Sequence, residues 1–122
     1  MSNKRTGRMP PTYPGIVAER SGGMCERCLV VPATEIHHRR YLSRGGKHNL
    51  ANLLHLCNPG GGGNAGVGCH AEAHTGIGGE VGTSISRHNP RPESVISYTD
   101  LLGRERWLDD SGLRHDRQPQ PY

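Results

Sequence analysis

Residues 25–74 read CERCLVVPATEIHHRRYLSRGGKHNLANLLHLCNPGGGGNAGVGCHAEAH. This stretch holds all four cysteines and six of the eight histidines of a 122-residue chain. Cys25 and Cys28 have the C-x2-C spacing that lets two thiolates reach one tetrahedral ion at ~2.3 Å. Cys57 and Cys69 bring the count to four. A closed shell of four thiolates leaves no open coordination position, which makes the expected zinc structural. A redox pair would sit in a thioredoxin-like βαβ pattern, which is missing here. Residues 58–68 form a Gly-rich insertion between the second pair. Stretching a two-residue spacer to that length costs about 1.5 kcal/mol by loop-closure scaling, which a zinc site can absorb.

Composition explains why such an anchor is needed. Only 32% of residues are hydrophobic, 4% are aromatic, there is no Phe, and Gly and Pro number 18 and 9. That excludes a large conventional apolar core, and small scaffolds with this deficit use disulfides or metal. No apolar run approaches the ~20 residues of a bilayer span, and the basic start of the chain leads into no apolar stretch, unlike a secretory signal. The expectation is a soluble, cytoplasmic protein with no membrane partner, whose cysteines are ligands rather than disulfides. Residues 1–48 carry nine Lys/Arg against three Glu, and residues 49–122 six against eight Asp/Glu. A basic front half suggests a polyanionic partner such as nucleic acid.

Local signals divide the chain into a flexible basic arm (1–13), a metal-bearing domain (14–79) and a C-terminal β extension with tail (80–122). Residues 16–20 suit a short helix stopped by Gly22-Gly23. Residues 29–31 read as a short β run and residues 34–42 as a strand entering a turn. Residues 49–56, with Leu50, Leu53, Leu54 and Leu56, read as a helical turn. A second helix is expected from Cys69 to about Ile77. Residues 83–86 and 95–98 read as extended, and Trp107-Leu108 and Leu113 as hairpin arms around a turn, with Trp107 at the centre of a small satellite core. Residues from Arg114 onward read as disordered.

The histidines fall into pairs. His37 and His38 are strand neighbours and point to opposite faces, so they suit two different roles. His70 and His74 lie at i and i+4 on the expected helix, about 5–6 Å apart, a chelating geometry that is also common on solvated faces.

The order C-x-x-C, then Glu35-Ile36-His37-His38-Arg39, then Asn52-Leu53-Leu54-His55-Leu56-Cys57, then Cys69-His70-Ala71-Glu72-Ala73-His74 resembles the HNH endonuclease family, in its zinc-bearing branch. The resemblance spans residues 25–74 and implies an α+β fold built on a small ββα-metal (His-Me finger) domain. It implies a metal-dependent endonuclease that hydrolyses DNA phosphodiester bonds. By position, His38 matches the general base, His37 and His70 match ligands of a catalytic divalent ion, and His74 matches an additional ligand of the colicin-like branch. Asn52 matches the middle Asn, which in such enzymes either braces the loop or binds metal. The ion would be Mg, Mn, Ni or Zn, and three imidazoles favour the last two over magnesium. The long Cys57–Cys69 spacer departs from the family pattern and puts the position of Cys69 and His70 in question. The insertion either bulges into solvent or lines a phosphate with its N–H groups.

Arg39, Arg40, Arg44 and Lys47 follow the expected base directly and are candidates for DNA phosphate contacts, which position without reading sequence. No recognition helix is present, so intrinsic sequence specificity should be weak. The chain's size and C-terminal strands are similar to small phage-encoded HNH proteins, a resemblance that implies a terminase partner; a homing-type nicking enzyme is the alternative within the class, with the protein a monomer or weak dimer. The competing class is a non-catalytic zinc-ribbon module that binds DNA or protein. It accounts for the cysteines but not for His37, His38, Asn52, His70 and His74 falling in HNH order.

Overall fold

The computed structural model describes residues 7–59 and 68–119. Helix α1 (Tyr13–Ser21) starts with proline in its first turn and ends at Gly22, whose left-handed backbone (φ 64°) lets the last turn close on the Ala18 and Glu19 carbonyls. Two antiparallel strands follow, β1 (Glu35–His38) and β2 (Leu53–Leu56), in the register Glu35↔Leu56, Ile36↔His55, His37↔Leu54 and His38↔Leu53. Then come α2 (Cys69–Ala73) and α3 (Gly76–Val81). A three-stranded antiparallel sheet closes the chain, in the order β3 (Tyr98–Thr99), β4 (Glu105–Leu108), β5 (Arg114–His115). The α+β class holds, and the hairpin followed by α2 gives the ββα order. Among the described residues no helix is long and apolar enough to cross a membrane.

Residues 49–56 are not one helical turn. A single 3-10 turn (Leu50–Asn52) runs straight into β2. Leu53, Leu54 and Leu56 are all buried because β2 is covered on both faces. Leu53 packs with Val17 and Leu50 under α1, whereas Leu54 and Leu56 join Ala51, Ala73, Tyr98, Leu108 and the buried cysteines. A strand buried on both sides loses its alternation and imitates helical spacing. The expected helix from Cys69 to Ile77 breaks at His74 and Thr75, where the Thr75 hydroxyl accepts the Ile77 N–H and starts α3.

Other expectations fail as well. Residues 29–31 form a turn, with only an isolated bridge between Met24 and Pro32. Residues 83–86 form no strand, and of residues 95–98 only Tyr98 is in one (β3), with Val95 ending a 3-10 turn (Glu93–Val95). Trp107 is only partly buried; its neighbour Leu108 points inward with Tyr98, into the main core rather than a satellite. Arg114 and His115 are strand residues, not tail. The described part of the N-terminal arm is tied down: Met9 packs against the Val17 cluster.

Two arginines fasten the C-terminal segment to the hairpin. Arg39 is fully buried and donates to the carbonyls of Ala51 (3.1 Å), Gly82 (3.0 Å), Glu93 (3.3 Å) and Ile96 (2.6 Å). Burial pushes its pKa down to about 10, so it stays cationic at neutral pH. Arg40, also buried, pairs with the Glu93 carboxylate at 2.7 Å and donates to the carbonyls of Ser86, Asn89 and Arg91. These side chains are therefore not surface cations, and the expectation that Arg39 and Arg40 contact DNA is corrected: every donor group is spent inside the fold. Arg39→Ala should destabilise the protein by at least ~3 kcal/mol, since several buried carbonyls lose their donor at once. Urea unfolding of the metal-loaded protein measures it.

Candidate active site

Two clusters of ligand-type side chains form on the hairpin and α2. The sulfurs of Cys25, Cys28, Cys57 and Cys69 all lie within 4.8 Å of one another, and none forms a disulfide. A tetrahedral ion with ~2.3 Å bonds separates sulfurs by roughly 3.8 Å, so the four are close enough to share one ion. The thiol chemistry fits a cation too. A hydrogen bond from Cys69 holds Cys25 down at about 4, while Cys69 is pushed up by that bond and by burial, and burial pushes Cys57 up. Four adjacent thiols cannot all ionise unless a positive ion offsets their repulsion. The arrangement suits a structural metal site. Its long spacer is pinched at the base: a Cβ on Gly68 would lie 2.6 Å from Pro59 Cδ, and Cys69 N–H points at Cys57 Sγ at 3.4 Å. The departure in spacing does not draw Cys69 away. Most of the insertion, residues 60–67, lies outside the described residues, and with it the question of whether it meets solvent or phosphate.

The second cluster is His37, His70 and His74, again with one ligand atom each within 4.8 Å of the others. Ring centroids stand 4.9 Å (His37–His70), 5.2 Å (His37–His74) and 5.1 Å (His70–His74) apart. Each ring has one nitrogen engaged by a neighbour. His37 Nε2 donates to the Thr83 carbonyl at 2.7 Å, His70 Nδ1 is hydrogen-bonded to Glu35 Oε1, and His74 Nδ1 meets the Tyr41 hydroxyl at 3.0 Å. The second nitrogen of each is left for an ion, with the ring already oriented, as is usual for metal-binding imidazoles. Burial pushes His37 down to about 3, so it stays neutral and able to donate its lone pair. Its hydrogen bond to His70 and Asn58 keeps Glu35 ionised below the usual carboxylate range.

His38, the next residue on β1, is not one of the three clustered imidazoles and has a partner of its own. Its Nε2 lies 3.0 Å from His48 Nδ1, and His48 Nε2 lies 3.2 Å from the Gly7 carbonyl. A carbonyl only accepts, so His48 must donate from Nε2 and, when neutral, accept at Nδ1. His38 then donates from Nε2 and keeps Nδ1 as its free base nitrogen. Burial and His48 both lower the His38 pKa. His37, His38, Tyr41, His70 and His74 line one cleft of about 480 Å³.

Asn52 is fully buried beneath the loop that joins the strands. Its Oδ1 accepts the Arg40 N–H at 2.7 Å, and its Nδ2 donates to the Arg40 and Lys47 carbonyls at 3.0 Å each. Between those residues Gly46 runs so close that a Cβ would sit 1.8 Å from the Arg40 carbonyl. Asn52 thus braces the loop, and its polar atoms are spent on backbone rather than on an ion. Arg44 and Lys47 are exposed, and Arg44 lies over the Tyr41 ring at 4.5 Å.

The HNH endonuclease family model matches residues 25–59, a segment that contains Cys25, Cys28, His37, His38, Asn52 and Cys57. That segment is similar to an HNH endonuclease domain. No curated protein and no solved structure matches it. The matched segment ends ahead of Cys69, His70 and His74, yet α2 returns all three to the HNH hairpin, where the His70 N–H donates to the Cys57 carbonyl at 3.1 Å. Sequence reasoning missed Glu35, Tyr41, His48 and the Thr83 carbonyl. Glu35 was within reach, because it sits two residues from His37 on one strand face. The other three meet the site through tertiary packing and leave no local signal.

The metal-site geometry makes a direct prediction. The isolated protein should retain one tightly held metal ion per chain through desalting, measured by atomic emission. Cys25→Ser should lose that ion and the cooperative unfolding transition with it.

Proposed function

We propose that this protein is a metal-dependent DNA endonuclease in which zinc fills the four-cysteine site and a second divalent ion is held by His37, His70 and His74. The observation that carries the reading is the three-histidine cluster set beside a separately oriented His38 in one cleft. His38 Nδ1 takes a proton from water; the water oxygen attacks phosphorus, the P–O3′ bond breaks, and the leaving 3′ oxygen takes a proton from solvent, giving a 5′-phosphate and a 3′-hydroxyl. The divalent ion, when bound, supplies stabilisation of the negative charge that grows on the phosphoryl and leaving oxygens. Asn52 acts as a positioning residue by locking the loop that follows His38. His48 holds His38 in the tautomer that leaves Nδ1 free. Arg44 and Lys47 remain suited to phosphate contact because they are exposed.

The zinc-ribbon alternative leaves the oriented imidazoles without a purpose, so the enzyme is favoured. The setting we propose is cytoplasmic, as a monomer or weak dimer. A phage gene whose product works beside the terminase is supported by the resemblance in size and motif order to small phage HNH proteins.

Supercoiled plasmid is the test substrate, with Mg, Mn, Ni or Zn added in turn. Nicking or linearisation is expected with at least one metal, and His38→Ala should abolish it. His74→Ala should stay folded and cleave more slowly. No cleavage by the wild type with any of these metals would sink the enzyme reading. His48→Ala should lower kcat by about 10- to 100-fold through misorientation of His38, with KM little changed and partial recovery in His48→Asn; a change confined to KM would refute its role.

A further inference from the structure

A second cleft, of about 410 Å³, lies beside the catalytic one and is lined by Arg44, Lys47, Arg87 and Arg91 over a floor of Arg40 and Glu93. The four outer side chains are exposed. Glu93, the acid of the set, does not oppose them. Its Oε2 pairs with buried Arg40 at 2.7 Å and its Oε1 accepts from Asn49 at 3.0 Å, so its charge is matched within the fold. The four remaining cations are underused. Arg91 spends one amino group on the Val95 carbonyl, Arg44 rests on the Tyr41 ring, and Lys47 has no side-chain hydrogen bond among the described residues. Gathering four like charges in one concavity costs repulsion unless an anion enters.

The place of this cleft indicates which anion. Arg44 belongs to its wall and also covers Tyr41, whose hydroxyl meets His74 of the three-histidine cluster. The two clefts therefore adjoin across a single aromatic ring. Half of the basic wall comes from residues 86–93, which Arg40 clamps by their carbonyls to the end of the hairpin. We infer that this cleft is a phosphate subsite for the DNA strand, holding a backbone phosphate next to the one positioned for cleavage. It rests on the nuclease reading and assigns to Arg87 and Arg91 a contact that the HNH segment itself does not supply. Such contacts carry no base information, in keeping with a nuclease of low sequence preference.

The test is binding of a fluorescent 20-base-pair duplex by the zinc-loaded full chain carrying His38→Ala, followed by anisotropy across a salt series. Arg87→Gln and Arg91→Gln, each added to that background, should weaken binding several-fold and reduce the slope of log K against log salt by about 0.9 apiece. Arg117→Gln, which removes the same charge from an exposed site elsewhere, should leave the slope unchanged. Circular dichroism and metal content verify that each variant is folded. Slopes unaltered by Arg87→Gln and Arg91→Gln, or lowered equally by Arg117→Gln, overturn the subsite while leaving the nuclease reading intact. A parent that binds no duplex overturns both.

Discussion

Four sulfurs from three separate pieces of chain set the geometry on which everything else depends. Cys25 and Cys28 come from the turn after α1, Cys57 from the end of β2, and Cys69 from the first residue of α2. A protein with this little apolar surface has few other means of fixing a five-residue helix against a two-stranded hairpin. The residues between the first two cysteines extend the anchor. Glu26 is fully buried and takes ion pairs from Arg20 of α1 (2.7 Å) and Arg114 of β5 (3.1 Å). Arg27 pairs with Glu72 of α2 at 2.9 Å and donates to the Thr99 carbonyl of β3. One short turn thereby ties together α1, α2 and both ends of the C-terminal sheet. Because His70 directly follows Cys69, and His37 lies opposite Leu54 three residues ahead of Cys57, the sulfur cluster also sets how far apart the imidazoles stand.

The C-terminal half is not an appendage to this unit. It supplies the Thr83 carbonyl that orients His37, and Gly82, Glu93 and Ile96 carbonyls that satisfy Arg39. Among the described residues Arg39 forms no ion pair, so its burial is offset mainly by hydrogen bonds to carbonyls, with the Glu93 charge helping from a distance. That arrangement holds residues 82–96 in register with the β1–β2 hairpin.

Legibility in the sequence followed the range of the interactions. Cysteine spacing, the alternation of His37 and His38, and the glycine stop after α1 are local and could be read directly. The i, i+4 relation of His70 and His74 was also visible, although the helix bearing them is shorter than its pattern. What failed was set by partners distant in the chain. Leu53 to Leu56 read as helical because α1 covers one face and the sulfur cluster the other. Arg39 and Arg40 read as DNA contacts because a basic run after the expected base looks exposed, and only residues 82–96 reveal that it is covered. His48 went unnoticed because its partners, His38 and Gly7, are brought to it by the loop.

The stacking of Arg44 on Tyr41 has one more consequence. The same ring carries the hydroxyl that meets His74, so a cation on the outer surface and a ligand-type imidazole share one side chain. If a phosphate draws Arg44 off the ring, the Tyr41–His74 contact is free to adjust. Thermodynamic reciprocity then demands the converse: an ion that fixes His74 alters the affinity of the outer cleft for its anion by the same factor. Occupancy of the metal site and grip on the strand would be linked variables, with Tyr41 as the coupling element.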